Sequence, residues 1–343
     1  MSGLPLVLSD VARWYAATTL ALGERTGLLG ALLDGGGSAA RLATTAGVDA
    51  HNAMVWADAM VVAGYARAKD GQYLADEDAL GILRGGAPFD LRAVVEILAP
   101  LGALLPRVEQ AMRDGGGITS DELQASLGAL PERINRPMYA AYLLDGWIAG
   151  HPELQAGLTA GIDVAEIGPG GGEALRLLAA AFPASRFTGY DLDPLQVARA
   201  NAAATGAGLA NLRFEVRDAA RLPAGAFDLV CVFDALHHFG QPAAALAAVR
   251  ASLREGGSFL VAESSLSGDP TTDAADPMGI LMYGSDLLYC FQESKADGGV
   301  GLGATWAGDG LEGLLAEHGF GIAATHVSDA GYAVVRAVPT GSA

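Results

Sequence analysis

The stretch from Asp163 to Gly172 constrains the chain most. A short apolar run, Ile162, Val164, Ala165 and Ile167, is closed by Gly168-Pro169-Gly170-Gly171-Gly172, and the spacing becomes helical from Glu173 to Ala181. The pattern predicts strand, tight turn and helix. The glycines let the backbone turn sharply and bring bare amides close to a ligand, while the helix start adds partial positive charge. Arg186 to Asp191 then reads as a second strand ending in a carboxylate, roughly twenty residues past the turn, where an acid can bind ribose hydroxyls. The unit is a nucleoside-binding βαβ element.

Which nucleoside it binds turns on charge and on one packing position. A dinucleotide fingerprint places glycine or alanine where Glu173 stands, so a dehydrogenase is disfavoured. Glu166, at the end of the strand, sets a carboxylate beside the turn. That suits an ammonium or sulfonium cofactor and is awkward beside a pyrophosphate.

Four pieces in order carry a family resemblance. They are Val164-Ala165-Glu166-Ile167-Gly168-Pro169-Gly170-Gly171-Gly172, Gly189-Tyr190-Asp191-Leu192-Asp193-Pro194, Arg217-Asp218-Ala219, and Phe227 through Phe233-Asp234. Together they resemble the class I S-adenosylmethionine (SAM) methyltransferases. The resemblance implies an α/β fold, a Rossmann-like seven-stranded sheet, and SAM as cofactor. It places Glu166, Gly168 and Gly170 at the methionine end, Asp191 with Leu192 at the ribose and Asp218 with Ala219 at the adenine, with Phe233 and Tyr139 lining the same pocket.

Before this unit, apolar residues at helical spacing run from about Ser9 to Leu33. Ser38 and Asp49 can each cap a short helix, and Asp70-Gly71 can turn a hairpin, the outline of a winged helix. The second helix, where DNA contacts would originate, has no lysine or arginine, and the net charge is -18. Both features argue against nucleic acid as a partner, and the resemblance implies a homodimer-forming scaffold. Asp114-Gly115-Gly116-Gly117 marks the expected boundary, giving domains 1–113 and 114–343, with 114–160 as a helical connector and lid.

Hydrophobic residues at 51% and charged ones at 17% fit packed domains. Cys231 and Cys290 lie far apart without metal-ligand spacing, consistent with a reducing cytoplasm. Met1 to Pro5 carry no basic region, and no uncharged apolar run reaches the roughly eighteen residues of a membrane span. The expectation is a cytoplasmic protein with no membrane partner.

Strand candidates at Asp163–Ile167, Arg186–Tyr190, Leu212–Val216, Phe227–Phe233 and Ser258–Ala262 alternate with helices, and Ile322–Val327 with Tyr332–Val338 suit an antiparallel edge. Two loops at the carboxyl edge offer a base for methyl transfer. They carry His237 and His238 after the fourth strand and Glu263 after the fifth. Tyr142 on the helix before the first strand, and Met282, Tyr283, Tyr289 and Trp306 in the insert from Ser264 to Trp306, are candidate substrate contacts. His318 and His326 sit away from that edge.

Nearly the whole chain is similar to a bacterial subgroup of winged-helix SAM methyltransferases acting on small molecules. Some relatives have aspartate in place of His238 and histidine in place of Tyr289, and one lineage holds iron with such residues. This chain departs at both positions, and adjacent histidines cannot form a helical metal pair, so no metal is expected. The function implied is methylation of a small, mostly apolar or aromatic metabolite on oxygen, nitrogen or carbon. The alternative is a non-catalytic winged-helix regulator that senses a ligand through a SAM fold.

Overall fold

The computed structural model describes residues 5–276, 278–306, 309–329 and 331–341. Met1 to Leu4, on which the reading of the N-terminus partly rests, and Ala330 in the expected last turn lie outside the described residues. Contacts divide the chain into one unit of residues 1–103 with 127–137 and another of 104–126 with 138–343.

In the first unit the caps fall where the sequence places them. Ser38 Oγ accepts from the Arg41 N–H, opening the helix Ala39–Ala46, and Asp49 Oδ1 accepts from the N–H groups of His51 and Asn52, opening Ala50–Ala63. Antiparallel strands β1 (Ala66–Lys69) and β2 (Gln72–Ala75) follow. Asp70 and Gly71 join them at φ 51° and 72°, positive at both positions as a tight two-residue hairpin requires. Leu29, Leu32, Leu42 and Met60 fill the core, and the Trp56 indole N–H donates to the Thr19 carbonyl at 2.9 Å. The helix Ala50–Ala63 presents Val55 and Val62 to solvent in place of cations.

The boundary expected at Asp114 is not where contacts divide the chain. The helix Leu98–Asp114 begins in one unit and continues into the other, and the glycines after it form a close crossing instead of a loose joint. The Ile118 N–H donates to the Gln292 carbonyl at 3.0 Å, Ile118 is fully buried, and a Cβ on Gly117 would strike the backbone of Gln292 and Ala296. Glycine serves there as the residue thin enough to pack, which sequence alone reads as flexibility.

The second unit holds seven strands: β3 (Asp163–Ile167), β4 (Arg186–Asp191), β5 (Leu212–Val216), β6 (Phe227–Phe233), β7 (Leu253–Ser264), β8 (Phe320–Val327) and β9 (Tyr332–Pro339). Their order is β5-β4-β3-β6-β7-β9-β8, parallel up to β7 and antiparallel where β9 meets β7 and β8. This is the doubly wound sheet with an antiparallel edge that the alternation predicts. The crossover sense reverses between β3 and β6, which opens a crevice beyond their carboxyl ends. Phe187, Phe259 and Phe320 are buried in the sheet's core, each contributing about 1.5–3 kcal/mol relative to exposure.

Two elements depart from expectation. Strand β7 begins at Leu253, five residues before the predicted Ser258, with an irregular register against β6 between Phe227 and Leu229. The single helix expected over 131–150 is an α-helix, Leu130–Met138, followed by a π-helical stretch, Tyr139–Ile148. The wider π turn brings Tyr139, Leu143, Trp147 and Ile148 onto one face, and Leu143, Trp147 and Ile148 are buried. Among the described residues no helix is long and apolar enough to cross a membrane.

The glycine turn permits a direct test of the fold. Gly172 has φ 74°, and a Cβ there would collide with the Phe214 ring and lie 3.2 Å from the Ala200 Cβ. Gly172→Ala is expected to destabilise the protein by about 1–3 kcal/mol. Gly170 has φ 50° but nothing within 4 Å of such a Cβ, so Gly170→Ala should cost less. Thermal denaturation of the two variants checks the order; equal midpoints would contradict the packing described.

Candidate active site

The glycine turn and the end of β4 form one element. The Gly168 N–H donates to the Tyr190 carbonyl at 2.9 Å and the Gly172 N–H to the Pro169 carbonyl at 2.8 Å, closing the turn. Asp191 faces it, with Oδ2 accepting from the Gly170 N–H at 3.1 Å and Oδ1 from the Asp193 N–H at 2.9 Å. Burial raises the Asp191 carboxyl while those two donors oppose the rise. Glu166, at the base of the turn, is 2% exposed, and its Oε2 has no hydrogen-bond partner. Burial and the neighbouring Asp191 push its carboxyl up to about 8, against the Leu175 N–H. One oxygen of a buried carboxyl is thus left without a partner at the base of the turn, and a Cβ on Gly170 would meet nothing within 4 Å.

Around this element the other expected cofactor residues take distinct places. Asp218 Oδ1 accepts from the Ala220 N–H at 2.9 Å, capping the short turn that begins at Ala219. Leu192 is 68% exposed just past Asp191. Phe233, at the end of β6, accepts from the Tyr139 hydroxyl through its carbonyl at 3.2 Å, and its buried ring lies 5.5 Å from that of Trp147. Burial, followed by the charges of Asp234, Glu166 and Glu263, raises the Tyr139 phenol well above its usual range.

A second cluster occupies the adjoining loops. Past β6 the chain turns through Asp234, at φ 53°, into the short helical turn Leu236–His238. His237 is 2% exposed with Nδ1 2.5 Å from Glu263 Oε2, while Glu263 Oε1 accepts from the Leu236 N–H at 2.7 Å. Glu263, at the end of β7, is fully buried, so one carboxylate fixes both the imidazole and the loop that carries it. Burial pulls the His237 imidazole down, but the Glu263 carboxylate and the hydrogen-bonded Cys290 thiol together outweigh it and the net displacement is well upward. A Cβ on Gly168 would lie 3.1 Å from the Ala235 Cβ, which ties the glycine turn to this loop.

His238 stacks on His237 with ring centroids 4.2 Å apart, and its Nδ1 lies 2.7 Å from Glu293 Oε2. Burial and His237 act to lower it, yet Cys290 and Glu293 carry it up to about 10. Spacing alone sets Cys290 aside as a ligand and gives no sign of Glu293. They arrive from the segment Asp286–Lys295, where a π turn interrupts any helical spacing that could have flagged them. Asp234, which the sequence places at the carboxyl edge with the imidazole loop, has its carboxyl raised by burial, and the Tyr332 hydroxyl is hydrogen-bonded to it.

The expected substrate residues divide. Tyr289 lies against His238 at 5.1 Å between rings, and Tyr142 and Met282 are half-buried. Tyr283 instead donates its hydroxyl to Asp273 Oδ2 at 2.8 Å, and Trp306 packs on the hydrophobic core beneath the sheet. His326 lies 5.3 Å from His151, ring to ring.

Residues 165–259 match a family model described as a methyltransferase domain. No curated protein matches the sequence. Among solved structures, the mitomycin 7-O-methyltransferase MmcR superposes with a TM-score of 0.72 at 17% identity, over 97% of each chain. The chain has the class I methyltransferase fold. NcsB1, an O-methyltransferase from neocarzinostatin biosynthesis solved with SAM and 2-hydroxy-5-methyl naphthoic acid, gives 0.68 at 18% identity, over 99% of this chain and 100% of its own. An O-methyltransferase family protein from Burkholderia thailandensis gives 0.67 at 16%, with 99% and 100% covered. In this fold Glu166 lies at the end of β3, His237 follows the end of β6, and Asp191 ends β4.

Proposed function

We propose that the protein is a SAM-dependent methyltransferase acting on a small, mostly apolar or aromatic metabolite, with His237 as the base. The observation that carries this reading is the pairing of a buried carboxyl that has one unpartnered oxygen, Glu166, with a carboxylate-held imidazole on the loop after β6. The cofactor supplies an electrophilic methyl group on a sulfonium. Glu166 meets its positive charge, Asp191 takes the ribose, and Asp218 with Ala219 borders the adenine, over which exposed Leu192 can fold.

Glu263 accepts a hydrogen bond from the Nδ1–H of His237 and so fixes the tautomer, leaving Nε2 to take the acceptor's proton as the methyl is transferred, once it is released from the Cys290 thiol bonded to the same ring. Tyr139, hydrogen-bonded to the end of β6, helps close the site and exclude water. Tyr142, Met282 and Tyr289 offer apolar and aromatic surface to the acceptor. One solved relative is a mitomycin 7-O-methyltransferase and another, from neocarzinostatin biosynthesis, was solved with a hydroxylated naphthoic acid, which favours an aromatic hydroxyl as acceptor and secondary metabolism as the setting.

The test is incubation with methyl-labelled SAM and a panel of hydroxylated naphthoates, phenols and hydroxyquinones. Label appearing in a low-mass product is expected. Cofactor binding with no transfer to any of them would favour a ligand-sensing role.

The first helix, Leu6–Thr26, exposes Leu6, Val7, Trp14 and Tyr15, an apolar face that suits the homodimer expected for this class. Trp14→Glu combined with Tyr15→Glu is expected to convert a dimer to a monomer in light scattering. A monomer before mutation would dispose of this assignment. Two buried free cysteines accord with a cytoplasmic setting.

A further inference from the structure

The base loop brings together a donor set that neither methyl transfer nor the solved relatives' names assign. One nitrogen each of His237 and His238 and the Cys290 Sγ lie within 4.8 Å of one another. Adjacent histidines cannot converge on a metal from one helical face, which is why the sequence speaks against an ion here. The Leu236–His238 turn removes that objection by stacking the two rings, and the segment through Cys290 adds a sulfur from 52 positions further on than His238.

We infer that His237, His238 and Cys290 form a site for a thiophilic divalent cation of the zinc type, and that filling it silences the base. Two imidazoles and a thiolate suit zinc, cobalt(II) or copper and disfavour magnesium or calcium, which take oxygen ligands. Three protein ligands leave a fourth position open.

Two further observations support the site. The His237 ring is already oriented through Nδ1 by the Glu263 carboxylate, the outer-shell contact that metal-bound histidines usually have. The His238 ring is likewise held through Nδ1, 2.7 Å from Glu293 Oε2, which leaves its Nε2 for an ion. The second acidic grouping nearby, Asp234 with His237 and Glu263, is less suited, because Glu263 already accepts from Leu236 and His237 and Asp234 is bonded to Tyr332.

With Nδ1 committed to Glu263, the atom of His237 left to coordinate is Nε2. That is also the atom that collects the acceptor's proton, so metal and catalysis exclude each other. This regulatory consequence rests on the base role proposed for His237; the metal site itself does not.

The experiment titrates the full-length, chelator-treated protein with cobalt(II) alone. One equivalent should bind with a thiolate-to-cobalt charge-transfer band in the near ultraviolet. Cys290→Ser should lose the band, and Cys231→Ser, altering the cysteine inside β6, should keep it. In the unaltered protein, stoichiometric zinc should protect Cys290 from alkylation, read by peptide mass spectrometry, so the result does not depend on a variant folding. Zinc should also slow methyl transfer by the unaltered enzyme while leaving Cys290→Ser at its own zinc-free rate. Cobalt binding without the band, or zinc that neither protects Cys290 nor slows turnover, would overturn the inference. A cobalt band in a protein that transfers no methyl group would remove the base role and leave the metal site standing.

Discussion

His237→Ala is expected to reduce turnover by about 10²–10⁴-fold, the usual contribution of a positioned general base, while cofactor affinity stays within a few-fold. The separation follows from where the residue sits. His237 is on the loop after β6, held by Glu263, whereas Glu166 and Asp191 flank the glycine turn. Glu263→Gln keeps a hydrogen-bonding group of the same shape but removes the charge that lifts the imidazole, so it should lower turnover by less than the histidine variant. The upward displacement of His237 also sets a pH dependence. An imidazole whose proton is held more tightly is free to act as a base only at higher pH, so the rise of kcat/KM should lie at higher pH than an ordinary imidazole gives. With Glu263→Gln that rise should move to lower pH. Loss of cofactor binding in His237→Ala, in place of lost turnover, would show the residue to be misassigned.

Glu166→Gln is expected to act on binding instead. Removing the carboxylate that meets the cofactor's positive charge should cost about 1.5–3 kcal/mol, or roughly ten- to a hundredfold in Kd. In the ligand-free protein the Glu166 carboxyl is pushed up to about 8, so near pH 7 it is mostly protonated. A cation arriving beside it favours the ionised form, and cofactor binding should release close to one proton. Calorimetry in two buffers of different ionisation enthalpy measures that release, which the glutamine variant should lack.

The same group has a stability consequence of definite sign. Its folded value lies above the ordinary 4.5, so its contribution is greatest below 4.5 and is lost as pH rises towards about 8, where it levels off. Ligand-free Glu166→Gln should therefore be more stable than the unaltered protein near pH 9, by several kcal/mol. A less stable variant at that pH would mean that Glu166 has a partner and is no cation receptor.

Much of the arrangement was legible because it is local. Gly168 to Gly172 and Asp191 are joined by hydrogen bonds between residues whose spacing follows from one strand, one turn and one helix. The hairpin at Asp70-Gly71 and the caps at Ser38 and Asp49 depend on a few consecutive residues, and they form as their side chains dictate. What escaped the sequence depends on contacts across long stretches of chain. Gly117 looks like a hinge until Gln292 is packed against it. Tyr283 looks like a pocket residue until Asp273 receives its hydroxyl. Cys290 and Glu293 reach the imidazole loop through a π turn, and no periodicity announces a residue whose role depends on where a widened helix happens to point.

The central claim is that the turn at Gly168, with Glu166 beneath it and Asp191 beside it, receives a sulfonium nucleoside. Calorimetric titration of the purified chain with SAM and, separately, with NAD tests it most directly. The account predicts saturable binding of SAM at one site per chain, weakened by Glu166→Gln, and no comparable heat from NAD. Preferential binding of NAD, or SAM binding indifferent to Glu166, would contradict it.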